Sequence, residues 1–393
     1  MMNHLMKRLR HALPGCALFC MLLCGVALPA HAHKPSDSYL SLTIGDAAKS
    51  SHQIEGQWDI ALRDLDFAIG LDQDGDGRLT WDEIRARHGA IAAYARERLT
   101  LSVKGGDCSI TPGEQLVDNH TDGAYTVLRF HAACPGGTDA LTIHYRLFAD
   151  IDPQHKGLLR ISHGGQSSTA IFDPQHARQT LSLSAPDRYG QFRDYVRNGV
   201  WHIWIGYDHI LFLLSLLLPA VMLGARGAPS ESLKASFVDV LKVVTAFTLA
   251  HSLTLTLASL SLVSLPSRWV ESAIAASVVL AALNNVWPLF RGKRPVAAFA
   301  FGLIHGFGFA SALIDLGLPQ GALALSLFGF NLGVEIGQLC IVALFLPLAY
   351  ALRGTWLYRQ LLTGGSMVIA AVAMVWLVER SLDVSLAQIT AAL

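Results

Sequence analysis

From residue 201 onward the chain is a succession of apolar runs, near 201–223, 237–264, 270–290, 295–317, 321–350 and 361–379, each about as long as a helix that crosses a hydrocarbon core. Continuous runs of this length are helices, because a barrel strand is about half as long and alternates apolar with polar residues. The expectation is an α-helical polytopic membrane bundle of about six transmembrane helices within residues 196–393. Composition agrees, with 52% apolar and only 15% charged residues. The 30 Lys and Arg balance the 30 Asp and Glu without forming a basic stripe, which argues against a nucleic-acid partner.

Residues 33–195 have an ordinary globular composition. Ile54, Trp58, Ile60 and Leu62 share one parity, as do Leu141, Ile143, Tyr145 and Leu147, the pattern of half-buried strands. Further strand-like runs lie at Leu99–Val103, Tyr125–His131, Leu158–Ser162 and Gln179–Leu183. Turn clusters at Pro112-Gly113, Pro135-Gly136-Gly137 and Gly164-Gly165 separate them. The fold class expected is therefore a mainly-β periplasmic sandwich with a single EF-hand-like insertion, placed before the bundle.

Residues 1–32 read as a signal peptide, since Lys7, Arg8 and Arg10 precede an apolar run that ends in the cleavage-site pattern Ala30-His31-Ala32. Cleavage there makes His33 the mature N-terminus and leaves Cys108 and Cys134 in an oxidising compartment, a candidate disulfide. The basic residues agree on topology. Arg226, Lys234, Arg291, Lys293, Arg294, Arg353 and Arg359 fall in alternate loops that face the cytoplasm if the β-rich domain lies outside, provided 321–350 is one helix. The location expected is a bacterial inner membrane, multi-pass, with the N-terminal domain periplasmic.

The segment Asp72-Gln-Asp74-Gly-Asp76-Gly77-Arg78-Leu-Thr80-Trp-Asp-Glu83 places oxygen donors at positions 1, 3, 5, 7, 9 and 12 of a twelve-residue loop. A hard cation needs that many oxygens. Side chains of Asp72, Asp74, Asp76, Thr80 and Glu83 and the carbonyl of Arg78 supply them, and Gly77 permits the turn. With only one such loop, Ca2+ is expected as a structural staple more than as a switch.

Four histidines, His202, His209, His251 and His305, fall inside the apolar half, with Asp208 beside His209. Ionisable groups in lipid are costly and need a reason. His202 and His209 are seven apart and share a face of one helix, and Asn331, Glu335 and Gln338 form a polar stripe on another. Rise per residue brings His209, His251, His305 and Glu335 to compatible depths. Imidazoles with carboxylates suit a borderline divalent transition metal, so His202, Asp208, His209, His251, His305 and Glu335 are the expected ligand set. Asn284, Asn285, Gly302, Gly306, Gly308 and Ala310 are assigned to helix packing.

The segments His202-Ile-Trp-Ile-Gly-Tyr-Asp208-His209, Phe301-Gly-Leu-Ile-His305-Gly-Phe-Gly-Phe-Ala310 and Asn331-Leu-Gly-Val-Glu335 resemble the HupE/UreJ family of nickel-permease-like membrane proteins over about residues 196–380. The resemblance implies passage of nickel, or of cobalt, through the bundle, with the His-x5-Asp-His residues as the metal site. The leading expectation is thus a permease for Ni2+ or another divalent transition metal, with lipid and metal ion as partners. Competing readings are an intramembrane zinc hydrolase on the same histidines and a calcium-binding receptor or assembly subunit without transport. A homo-oligomer and metalloenzyme-maturation partners stay open. No glycine loop ending in Lys-Ser/Thr points to ATP-driven transport.

Overall fold

The computed structural model describes residues 36–45, 53–120, 123–136, 140–164, 166–183, 188–222, 229–230, 232–288, 293–310 and 320–382. The expected signal segment, His33, Arg226, Arg291 and residues 311–317 of the fourth expected span lie outside them.

Ten described strands make two sheets. The first strands in chain order are β1 (Asp37–Ile44), β2 (Gln53–Ala61), β3 (Leu99–Val103), β4 (Gly106–Asp107) and β5 (Ser109–His120). β6 (Gly123–Ala133), β7 (Ala140–Tyr145), β8 (Lys156–His163), β9 (Gln166–Phe172) and β10 (Arg178–Ser182) follow. The larger sheet runs β5-β6-β2-β1-β8-β9 and the smaller β10-β7-β3-β4, with β1 and β8 the parallel neighbours in an otherwise antiparallel pairing. Leu40, Ile54, Trp58, Ile60, Leu159 and Ile161 point from the larger sheet into a core shared with Leu101, Leu141 and Ile143 of the smaller. Residues of the opposite parity, Tyr39, Ala61, Tyr125, Leu158 and Ile171, pack on helices instead. β1 alternates only over Leu40–Ile44, with Leu40, Leu42 and Ile44 on the core face and Ser41 and Thr43 between them.

Cys108 and Cys134 are joined, S–S 2.02 Å. They flank the paired residues Ser109 and Ala133, so the bond closes the open end of the β5–β6 hairpin. Leu62, Leu147 and Pro112-Gly113 depart from the expected strand pattern. Leu62 starts a helix and Leu147 lies in a turn, though both remain core residues. Pro112-Gly113 is no turn between strands; it lies inside β5, at the register shift between Pro112 and Gln115, where an edge strand tolerates the missing N–H. After the acidic loop the chain forms two short helices and not one, because Arg87 leaves helical geometry (φ −96°, ψ 6°) and turns its guanidinium to the Ile69 carbonyl. The three helices of this insertion are α1 (Leu62–Ile69), α2 (Trp81–Ala86) and α3 (His88–Arg96).

The second half is helical. α4 (Arg188–Ile205) and α5 (Tyr207–Leu217) are followed by α6 (Leu233–Ser259), α7 (Ser267–Val286) and α8 (Arg294–His305). α9 (Gln320–Leu352), α10 (Trp356–Gln360) and α11 (Ser366–Leu382) complete it, the last two continuous through one turn of wider helix at Leu361–Gly365. By length and composition Leu233–Ser259, Ser267–Val286, Ala322–Leu352 and Trp356–Leu382 are four stretches able to cross a membrane. The α4–α5 pair, bent by 73°, makes a fifth if it is one broken span. α8, at 12 residues, is shorter than a span. α9 is one unbroken helix, as the charge pattern required.

Candidate metal site in the helical bundle

Gly206 separates α4 from α5, so His202 and His209 do not lie on one helical face. The bend nevertheless brings them together: their ring centroids are 4.4 Å apart. Gly206 is in extended backbone, and a Cβ there would sit 2.6 Å from His209 Nδ1, so the smallest residue is what lets the two helix ends close on each other. Asp208 lies in the first turn of α5, where the exposed N–H groups favour a carboxylate. Its Oδ1 accepts from the His209 backbone N–H and lies against His209 Nδ1, both at 2.9 Å, while Oδ2 faces Arg380 at 3.6 Å. A carboxylate on one ring nitrogen sets the ring's orientation and leaves the other nitrogen, Nε2, as the ligand atom.

His305, at the end of α8, lies 5.6 Å from His209, centroid to centroid. Ser277 Oγ meets its Nε2 at 2.8 Å, and its Nδ1 is buried without a partner among the described residues. His251, on α6, is arranged alike: Nδ1 meets Asn331 Oδ1 at 3.2 Å, and Nε2 is buried without a partner among the described residues. Each of these imidazoles therefore has one nitrogen held by a neighbouring helix and one left over. Phe247 lies between the two rings, 6.0 Å from His251 and 5.3 Å from His305. Across the cluster, Phe309 and Phe330 stack at 4.1 Å and both border His202.

Glu335 meets α6 through a hydroxyl. Its Oε1 accepts from Thr245, and Gln338 accepts from Thr248, so the polar stripe of α9 is hydrogen-bonded along α6. The sequence had offered Glu335 as a ligand because of its depth, but depth along a helix does not say which neighbour the side chain meets. Sequence reasoning does not find Ser277, Arg380 and Thr245, since a hydroxyl in an apolar run carries no spacing signal and Arg380 lies far along the chain from Asp208. Asn285 bridges Ser215 O and Ser366 Oγ, which is a packing contact. A Cβ at Gly302 or Gly306 would run into the backbone of α6 at Phe247 and His251, so those glycines allow α8 to approach.

The sheet closes over this end of the bundle. Lys156, buried on β8, places its ammonium 5.7 Å from the centroid of the Phe309 ring, and Tyr39, Tyr125, Leu158 and Ile171 pack with Leu255, Ala258 and Leu327.

In the acidic loop Asp72, Asp74 and Asp76 each offer an oxygen within 4.8 Å of the others, the closest convergence of ligand atoms among the described residues; the histidine set is more open. Gly75 and Gly77 have φ of 74° and 77°, and their N–H groups donate to Asp72. Glu83 folds back to accept from the backbone N–H groups of Thr80 and Gln73 and from the Thr80 hydroxyl. These bonds, Thr80 N–H first, hold the Glu83 carboxyl down at about 2. The loop is thus preshaped with its charges inward, a donor set that fits a hard cation.

Residues 177–380, just over half of the chain, match the family model described as HupE / UreJ protein. No curated protein matches the chain.

Proposed function

This chain belongs to the HupE/UreJ family, and from that premise we propose that it is a membrane permease for a divalent transition metal, nickel or cobalt. The observation that carries the reading is the pair of rings at 4.4 Å across the Gly206 break, one of them oriented by Asp208, with the spare nitrogens of His251 and His305 buried nearby. Imidazole nitrogens replace the hydration water of the cargo ion, and Asp208 offsets its charge.

In the same proposal residues 1–32 are a signal peptide, 33–195 a periplasmic domain and 196–393 the transmembrane domain of about six helices in an inner membrane. The single EF-hand-like loop at 72–83 binds Ca2+ and stiffens the exported domain.

The test is flux of Ni2+, Co2+ and Zn2+ into proteoliposomes under an imposed pH gradient. Wild type is expected to carry nickel or cobalt, and His209→Ala and Asp208→Asn to lose at least 90% of the rate while reconstituting normally. Equal flux in His209→Ala, or no flux in wild type alongside tightly held zinc, overturns transport; the second outcome favours the hydrolase.

A further inference from the structure

Two cations lie on the exposed side of α6, away from the histidines. Lys234 and Lys242 are eight residues apart, both are exposed, and no described residue forms an ion pair with either. Asp239, which lines the same cavity, is taken: Arg294 binds it and also donates to the Leu216 carbonyl. Lys242 lies about 13 Å along α6 from its first residue, at 1.5 Å per residue, within the apolar span. An exposed ammonium at that position faces lipid. It is tolerated when its four-carbon stem carries the charge back toward the headgroups and an anion meets it there.

The surface around these lysines has two parts. One open cavity of about 440 Å³ is lined by Ser232, Lys234, Asp239 and Lys242. Beside it, a groove of about 370 Å³ between α6 and α9 is lined by Leu233, Phe237, Val342, Leu346 and Pro347, and Lys234 belongs to both. A small soluble anion would use the first and leave the second bare. A molecule with a phosphodiester at one end and a hydrocarbon chain at the other matches both. We propose that this surface binds one anionic glycerophospholipid, with its phosphate between Lys234 and Lys242 and an acyl chain along the exposed Leu233, Phe237, Ala343 and Pro347. The site is independent of the transport reading.

Native mass spectrometry of the purified full-length protein tests it, using phosphatidylglycerol and phosphatidylcholine of identical chains. Wild type is expected to hold one phosphatidylglycerol at least tenfold more tightly than phosphatidylcholine. Lys234→Gln with Lys242→Gln should reduce the preference to below twofold, and Lys234→Arg with Lys242→Arg should keep most of it. No preference in wild type, an unchanged preference in the Gln variant, or displacement by inorganic phosphate or chain-free glycerophosphoglycerol at the lipid's own concentration would each overturn the proposal. So would a dimer that covers α6 and excludes lipid. The wild-type preference and the headgroup competition decide the matter even if the Gln variant is unstable.

Discussion

His155 is 1% exposed and sits between two hydroxyls, Ser36 Oγ at Nδ1 and Tyr145 OH at Nε2, both at 2.6 Å. A neutral imidazole donates through one nitrogen and accepts through the other, so this chain of bonds, extended through Ser38 to Trp58 Nε1, is satisfied without charge. Burial holds the imidazole far down, from 6.5 to about 3. The unfolded chain then binds a proton below pH 6.5 that the folded chain refuses until about 3, so stability is complete above 6.5 and lost as pH falls. At pH 5 the loss is about 2 kcal/mol. His155→Gln should melt below wild type at pH 7.5, and the gap should narrow by roughly that amount at pH 5. A gap of constant size would mean that the ring is not buried neutral. Glu83 acts in a lower window. Its stabilisation is present above the unfolded value of 4.5 and disappears as pH falls toward 2. With calcium as the proposed ligand of this loop, chelator should lower the melting temperature of the wild-type chain and leave that of Asp72→Asn with Glu83→Gln unmoved.

At the scale of elements, α4 and α9 are in backbone contact through small residues. A Cβ on Gly199 would collide with the Phe330 carbonyl and one on Gly333 with the Val196 carbonyl, closer than carbon and oxygen can sit. This contact aims His202 at Phe330, so the packing of two glycines sets the position of a site residue. Gly333→Val should cut the amount of folded protein in the membrane several-fold by forcing the helices apart, whereas Gly354→Ala, with open space around it, should not. Equal abundance of the two variants would contradict the contact. The same elements explain what the sequence could reveal. Runs such as Leu233–Ser259 are legible because lipid imposes length and apolarity on every residue. β3 is legible to the residue because its alternation reflects one buried face. The break at Gly206 is not, since a lone glycine inside an apolar run does not by itself end a helix and the bend depends on tertiary contacts. His202 and His209 were thus paired by a spacing rule that does not apply, and meet because of a bend. The acidic loop at 72–83, by contrast, is local: its carboxylates, glycines and terminal Glu83 all lie within one loop and one helix start.

For the whole molecule the question is whether the sheet and the bundle act as one body, and Lys156 reports on it. It is 9% exposed, lies across from Asp37 in the parallel β1–β8 register, and faces Phe309 of the bundle. Burial pushes the ammonium's pKa down, while Asp37 and Asp173 pull it back up. That environment exists only while the helices cover the outer face of the sheet. Replacing both of two buried opposite charges by apolar side chains is often neutral or stabilising by about 1–4 kcal/mol, whereas removing one strands the other and costs about 3–5 kcal/mol. Asp37 is the larger attraction on Lys156, so Lys156→Met and Asp37→Ala should each melt below the wild-type temperature in detergent. The double variant should recover most of the loss, because no charge is left stranded. If the sheet instead stood free of the bundle, Lys156 would be hydrated, the pair would be worth less than about 1 kcal/mol, and all three variants would melt together with wild type.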